Sequence, residues 1–218
     1  MTTIAVIHTG PVTVQPIKEQ IGDLIPNARV INIMDDSLLN DVRAAGHLTS
    51  DVTSRIYTYM SNAQAMGVDI ILNACSSVGE AVDSVQNLVR TPIVKIDEAM
   101  AEQASATGPR VGVVATVPTT LDPTVRLIRK KAAEHGRTIE VTERIAEGAF
   151  DALLRGDAAQ HDEIVKQAIS TLAEQVDVVV LAQVSMARLI PQLGTLPVPV
   201  LSSPRSGVEA VKRALAAA

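Results

Sequence analysis

The chain has 218 residues, 47% of them hydrophobic but only 1% aromatic, and a formal net charge of −5. That length can bury a sizeable core built from Val, Ile, Leu and Ala, and the absence of both a basic cluster and stacking rings argues against nucleic acid as a partner. No apolar run reaches the roughly 20 residues of a membrane span, "MTTIAVIHTG" carries no basic leader, and a single cysteine excludes an internal disulfide; a cytoplasmic protein with a free thiol and no membrane association is expected.

Apolar runs bounded by turn residues alternate with segments of helical spacing along the whole chain. Strands are predicted near 3–8, 28–34, 69–74, 92–96, 110–115, 138–143, 177–182 and 198–201. Helices are predicted between them, including Ser50 to Met66, Pro123 to Glu134 and Asp162 to Gln175, where alanine and leucine are frequent. Continuous aliphatic strands alternating with helices define an α/β fold with parallel sheets.

The order of the strands contains a repeat. "IAVIHTGPVTVQPIKEQI" from Ile4 aligns with "VGVVATVPTTLDPTVRLI" from Val111, pairing Thr9 with Thr116, Pro11 with Pro118, Thr13 with Thr120 and Pro16 with Pro123. Further on, "DIILNACSSVGEAV" from Asp69 aligns with "DVVVLAQVSMARL" from Asp177, and "TPIV" with "VPVL". Two copies are too few for a solenoid. We therefore expect two similar, flavodoxin-like parallel-sheet halves related by a pseudo-twofold axis with a cleft between them: residues 1–97 with a C-terminal helix, 205–218, packed on them, and residues 98–204. A homo-oligomer is expected.

Ligands of open parallel sheets sit beyond the carboxyl ends of the strands. That rule collects His8, Thr9, Cys75, Ser76 and Ser77 from the first half and Thr116, Thr119, Thr120, Gln183 and Ser185 from the second. The twins differ where chemistry would lie: Cys75 corresponds to Gln183, and His8 to Ala115.

With "HTGP", "DDSLL", "NACSS", "PIVKIDEAM", "VGVVATVPTT" and "VPVLSSPRSGVEAVKRAL" in this order, the chain resembles the aspartate/glutamate/hydantoin racemase superfamily, whose relatives include maleate isomerases and arylmalonate decarboxylases. The resemblance implies a cofactor-independent enzyme that moves a proton beside a carboxylate or carbonyl with two opposed thiols. Here the first thiol is kept as Cys75 and the second position reads Gln183. A single-thiol isomerase or lyase acting on a small carboxylate from one face follows. The alternatives are an amino-acid or hydantoin-type racemase with a non-thiol second acid, and a non-catalytic small-carboxylate binder.

Cys75 is expected as base or nucleophile. A turn into a helix follows it, and a helix start lowers a thiol pKa toward neutrality. His8 takes the position at which the family often has an acidic residue, and is expected to tune that thiol. Thr9, Ser76, Ser77, Thr116, Thr119, Thr120, Gln183 and Ser185 are expected to hold a carboxylate or an enolate-like oxyanion. Lys95 is expected to reach an anionic substrate, or else to pair with Asp97. His47 and Asp51 have helical metal-ligand spacing without a third ligand, so no metal site is expected. His135 and His161 are expected at the surface, Asp35 and Asp36 at the end of the second strand. No phosphate loop or pyridoxal-phosphate lysine is recognisable, and no cofactor is expected.

Overall fold

The computed structural model describes residues 1–217; Ala218, the end of the expected C-terminal helix, lies outside them. The chain divides into two compact units, Met1–Glu98 joined by the C-terminal helix, and Ala99–Ser203.

In the first unit the elements run β1 (Thr3–His8), α1 (Val14–Leu24), β2 (Arg29–Met34), α2 (Ser37–Ala45), α3 (Ser50–Ala65), β3 (Ile70–Asn73), α4 (Gly79–Val85) and β4 (Ile93–Lys95). The strands form one parallel sheet in the order β2-β1-β3-β4. The second unit holds α5 (Glu98–Thr107), β5 (Arg110–Ala115), α6 (Pro118–Glu134), β6 (Glu140–Ile145), α7 (Ala149–Leu154), α8 (Ala158–Ala173), β7 (Val178–Leu181) and β8 (Val200–Ser202), with the sheet order β6-β5-β7-β8, again all parallel. The helix α9 (Ser203–Ala217) then returns to the first unit.

The repeat is therefore a repeat of architecture, down to single contacts. Asp69 accepts the Thr3 amide at 2.7 Å, and its twin Asp177 accepts the Arg110 amide at 2.9 Å, so each half fastens the start of its first strand with the same carboxylate. Central strands β1, β3, β5 and β7 are buried almost throughout, as expected of parallel strands covered on both faces.

Successive residues of a strand point to opposite faces. Ala5 and Ile7 of β1 join Ile71 of β3 and residues of α2, α3 and α4 in one core, against which Cys75 packs. His8 consequently points to the other face. On that second face α9 comes very close to the sheet: a Cβ on Gly207 would sit 2.4 Å from the Ile96 carbonyl oxygen. A backbone atom cannot yield as a side chain can, so Gly207→Ala is expected to destabilise the first unit by about 1–3 kcal/mol, read as a lower urea midpoint. A Cβ on Gly112 of β5 would instead meet the Leu172 side chain of α8 at 2.6 Å, a neighbour that can shift.

Several boundaries differ from the sequence expectation: the eighth strand begins at Val200 rather than 198, and the helix expected from Asp162 begins at Ala158. The sixth strand begins at Glu140 rather than at 138, because its pairing with β5 starts at Arg110↔Glu140. The helix expected from Pro123 begins at Pro118, with Pro123 inside it. Proline suits a first helical turn, and the chain offers two, of which the earlier one starts the helix. At the end of β2, Asp35 accepts hydrogen bonds from Arg55, Tyr59 and Ser37. Burial pushes its carboxyl up, but these donors outweigh that and hold it well below the usual carboxylate range.

Candidate functional site

At the carboxyl end of β3 the chain turns from Asn73 through Ala74 and Cys75 into a 3-10 turn, Ser76–Val78, which leads directly into α4. The Asn73 side chain donates to the Cys75 carbonyl at 2.9 Å and fixes this corner. Cys75 is half-buried, while Thr9, Ser76 and Ser77 around it are nearly closed to solvent. The Thr9 hydroxyl and both the amide and hydroxyl of Ser77 donate toward the sulfur. Thr9 shares the sheet face of Ile7, which is why its side chain meets the cysteine.

The ionisation of Cys75 runs opposite to the expectation. Burial pushes the thiol up, the three donors pull it down, and the nearby Asp97 carboxylate pushes it up again, leaving it above its ordinary value. The start of the short helix is outweighed by desolvation and a like charge. Alkylation of Cys75 by iodoacetamide is therefore expected to approach its maximal rate only above the roughly pH 8.5 of a free thiol, which a pH–rate profile by intact mass would show.

His8 is fully buried on the opposite face. Its Nδ1 meets Thr13 Oγ1 at 2.7 Å and its Nε2 meets Asn32 Oδ1 at 2.9 Å. Burial lowers its pKa, against the Asn32 hydrogen bond. A neutral ring that accepts from Thr13 and donates to Asn32 satisfies both contacts. The structure does not place His8 among the groups acting on Cys75; the expected tuning falls instead to Thr9, Ser77 and Asp97. Asn32 in turn lines a surface cavity of about 590 Å³ bordered by α1 and β2, with Lys18 and Gln15 at its wall.

Lys95 differs from expectation too. It is only 5% exposed, and its Nζ donates to Asp83 Oδ1 of α4 at 2.6 Å. Its ion pair is thus with Asp83 rather than with Asp97. Asp97, which sequence reasoning treated only as a partner for Lys95, is 2% exposed, and its Oδ1 is buried without a hydrogen bond. The signal for it was available: parallel pairing sets Asn73 beside Lys95, so Cys75 and Asp97, each two residues further on, are neighbours at adjacent strand ends.

In the second unit the equivalent corner is closed differently. Gln183 Oε1 accepts from the Thr116 amide at 2.7 Å and from its hydroxyl at 3.0 Å. Thr116 and Thr120 are nearly buried, whereas Ser185 is half-buried. At the start of α6, Thr119 carries a buried hydroxyl with no partner, while the Thr120 and Leu121 amides behind it donate to the Val117 carbonyl. His161, expected at the surface, is 3% exposed and meets Asp162 at 2.7 Å, which also binds Arg188. Tertiary packing of α8 overrides the polar sequence around it. His47 and His135 are exposed. Among the described residues no group of three or more His, Cys, Asp or Glu could hold a metal, and no helix is long and apolar enough to cross a membrane.

The strand ends of this duplicated parallel α/β architecture carry hydroxyls and, in one copy, a thiol. The family is that of the Asp/Glu/hydantoin racemases: the family model matches residues 5–211, and the chain belongs to it. Glutamate racemase RacE1 from Bacillus anthracis is similar in structure, with 18% identity, 99% of this chain and 82% of that chain covered, and a TM-score of 0.75. Aspartate racemase from Picrophilus torridus gives 14% identity, 99% and 95% coverage and a TM-score of 0.75. Allantoin racemase from Klebsiella pneumoniae gives 18%, 100% and 89%, and 0.74. At these identities the likeness establishes the fold. Sequence comparison with curated proteins returns no match.

Proposed function

We propose that the protein is an isomerase or lyase that acts on a small carboxylate-bearing molecule through a single thiol, Cys75. The observation that carries this reading is the half-buried sulfur at the end of β3, faced by the Thr9 hydroxyl and by the amide and hydroxyl of Ser77. Such donors stabilise a sulfur anion or an oxyanion formed beside it. In the second unit, the unpartnered Thr119 hydroxyl at the start of α6 is a further single donor suited to an anionic oxygen.

Three structural relatives are named as racemases of glutamate, aspartate and allantoin. Racemisation by two thiols requires a second cysteine, and this chain has one. Gln183 at the twin position can hydrogen-bond an oxygen but does not exchange protons usefully near neutral pH. The chemistry therefore runs from one face, as isomerisation through a thiol adduct or as a lyase reaction with protonation from one side.

The test is a panel of small dicarboxylic, hydroxy and amino acids incubated with the protein in deuterium oxide and followed by proton NMR. Conversion of a panel member with solvent deuterium in one configuration supports the reading. Comparable labelling of both enantiomers overturns the one-sided mechanism and favours a racemase with a non-thiol second acid. Binding seen as a raised Tm without any conversion would identify a carboxylate-binding protein.

A further inference from the structure

Attack by Cys75 on any electrophile requires its proton to leave, and the surroundings oppose a free thiolate. The parallel register brings one titratable group beside it. Asn73 pairs with Lys95, the Ile96 amide donates to the Asn73 carbonyl at 2.9 Å, and Asp97 follows on the strand end adjacent to Cys75. The Ser76 hydroxyl reaches the Asp97 carboxylate, Asp97 is 2% exposed, and its Oδ1 is buried with no partner. A buried carboxylate oxygen without a hydrogen bond costs stability and calls for a reason. In the second copy the same two register positions hold Gln183 and Pro204, since Leu181 pairs with Ser202. Neither ionises, so the architecture does not need the acid pair.

Resting on the reading of Cys75 as the reactive thiol, we propose that Asp97 is its proton partner: the carboxylate takes the thiol proton as the sulfur attacks and returns it when the adduct collapses. In the forward step the S–H bond breaks, a C–S bond forms with the sulfur's electron pair, and an O–H bond forms on Asp97. The negative charge leaves the Asp97 carboxylate and passes through sulfur to the electrophile or its leaving group. Before bond formation the pair carries one negative charge in either arrangement, so no second charge is created in a poorly solvated place. The other charged groups acting on Asp97 are Lys95, itself bound to Asp83 of α4, and Glu98 at the start of α5. Burial raises the Asp97 carboxyl, while the Ser76 hydrogen bond and the Lys95 charge pull it back. It thus holds a proton more readily than an ordinary carboxylate does.

The pH dependence of Cys75 alkylation by iodoacetamide decides the matter, because it needs no knowledge of the substrate. With Asp97 as proton partner, the rate in the wild-type protein rises through the Asp97 titration to a plateau, then rises again as the thiol itself ionises. Asp97→Asn removes the plateau, and the rate in the pH range where the wild type is on its plateau falls roughly tenfold or more. The upper inflection also moves to lower pH, since a like charge is gone. If Asp97 were only an electrostatic neighbour, the same substitution would raise the rate throughout the range below the thiol's own ionisation. That result would overturn the proposal. Asp97→Glu should restore part of the plateau. If Asp97→Asn does not fold, the wild-type profile alone decides, because a single rise of slope one up to the thiol's own ionisation excludes a carboxylate partner. Turnover by Cys75→Ser would refute the proposed function whether or not the wild-type alkylation profile shows the plateau, so the two failures are separable.

Discussion

Replacing Cys75 with serine is expected to abolish conversion of whichever panel member the wild-type protein transforms, while changing unfolding free energy by less than about 1.5 kcal/mol. The substitution is nearly isosteric, and the donors around the sulfur, Thr9 and Ser77, can equally bond a hydroxyl. Its chemistry is not preserved, because an aliphatic hydroxyl is far less acidic than a thiol and a carboxylate such as Asp97 cannot deprotonate it usefully. Parallel measurement of turnover by NMR and of stability in urea separates the two effects. A large loss of stability with conversion retained would make Cys75 a packing residue against the core of α2, α3 and α4.

Lys95→Met is expected to produce the opposite pattern, a loss of stability before any loss of binding. The ammonium is almost fully enclosed and is paired with Asp83 at 2.6 Å, so removing it leaves a partly buried carboxylate without its counter-ion. Breaking such a pair costs about 3–5 kcal/mol when both groups are buried. The lower end applies here because the Asp83 side chain keeps 29% of its exposure. Urea unfolding should therefore shift markedly. The loss of the cation should also push the Asp97 carboxyl further up, moving the onset of the alkylation plateau to higher pH. A lysine that bound substrate would behave otherwise, weakening ligand affinity with stability unchanged.

The fold was legible because its signals are local or repeated. Asp69 and Asp177 are visible as twins in the sequence, and each turns out to fasten the first strand of its half. Cys75, Ser76, Ser77 and Thr116 were legible as strand-end residues from the alternation alone. What escaped was set by contacts between distant elements. The partner of Lys95 lies on α4, twelve residues away in sequence, and no pattern distinguishes Asp83 from Asp97 as its mate. His161 sits in a polar stretch, yet α8 turns it inward. The sign of the Cys75 shift depends on how completely the thiol is desolvated and on a like charge across the strand register. The place of His8 follows from period two in β1, which carries Thr9 to the cysteine face and His8 away from it.

The route of the chain through the first unit has a consequence for its biosynthesis. Helix α9, whose Gly207 lies against Ile96, is translated only after the whole of Ala99–Ser203. Domains commonly fold as units while the chain emerges, and the second unit can do so from contiguous residues. The first cannot be completed in that order, for its sheet waits, with the residue next to Asp97 uncovered, until a helix encoded more than a hundred codons later arrives. A nascent chain stalled before Ser203 would thus present a finished second unit and a first unit still lacking one wall.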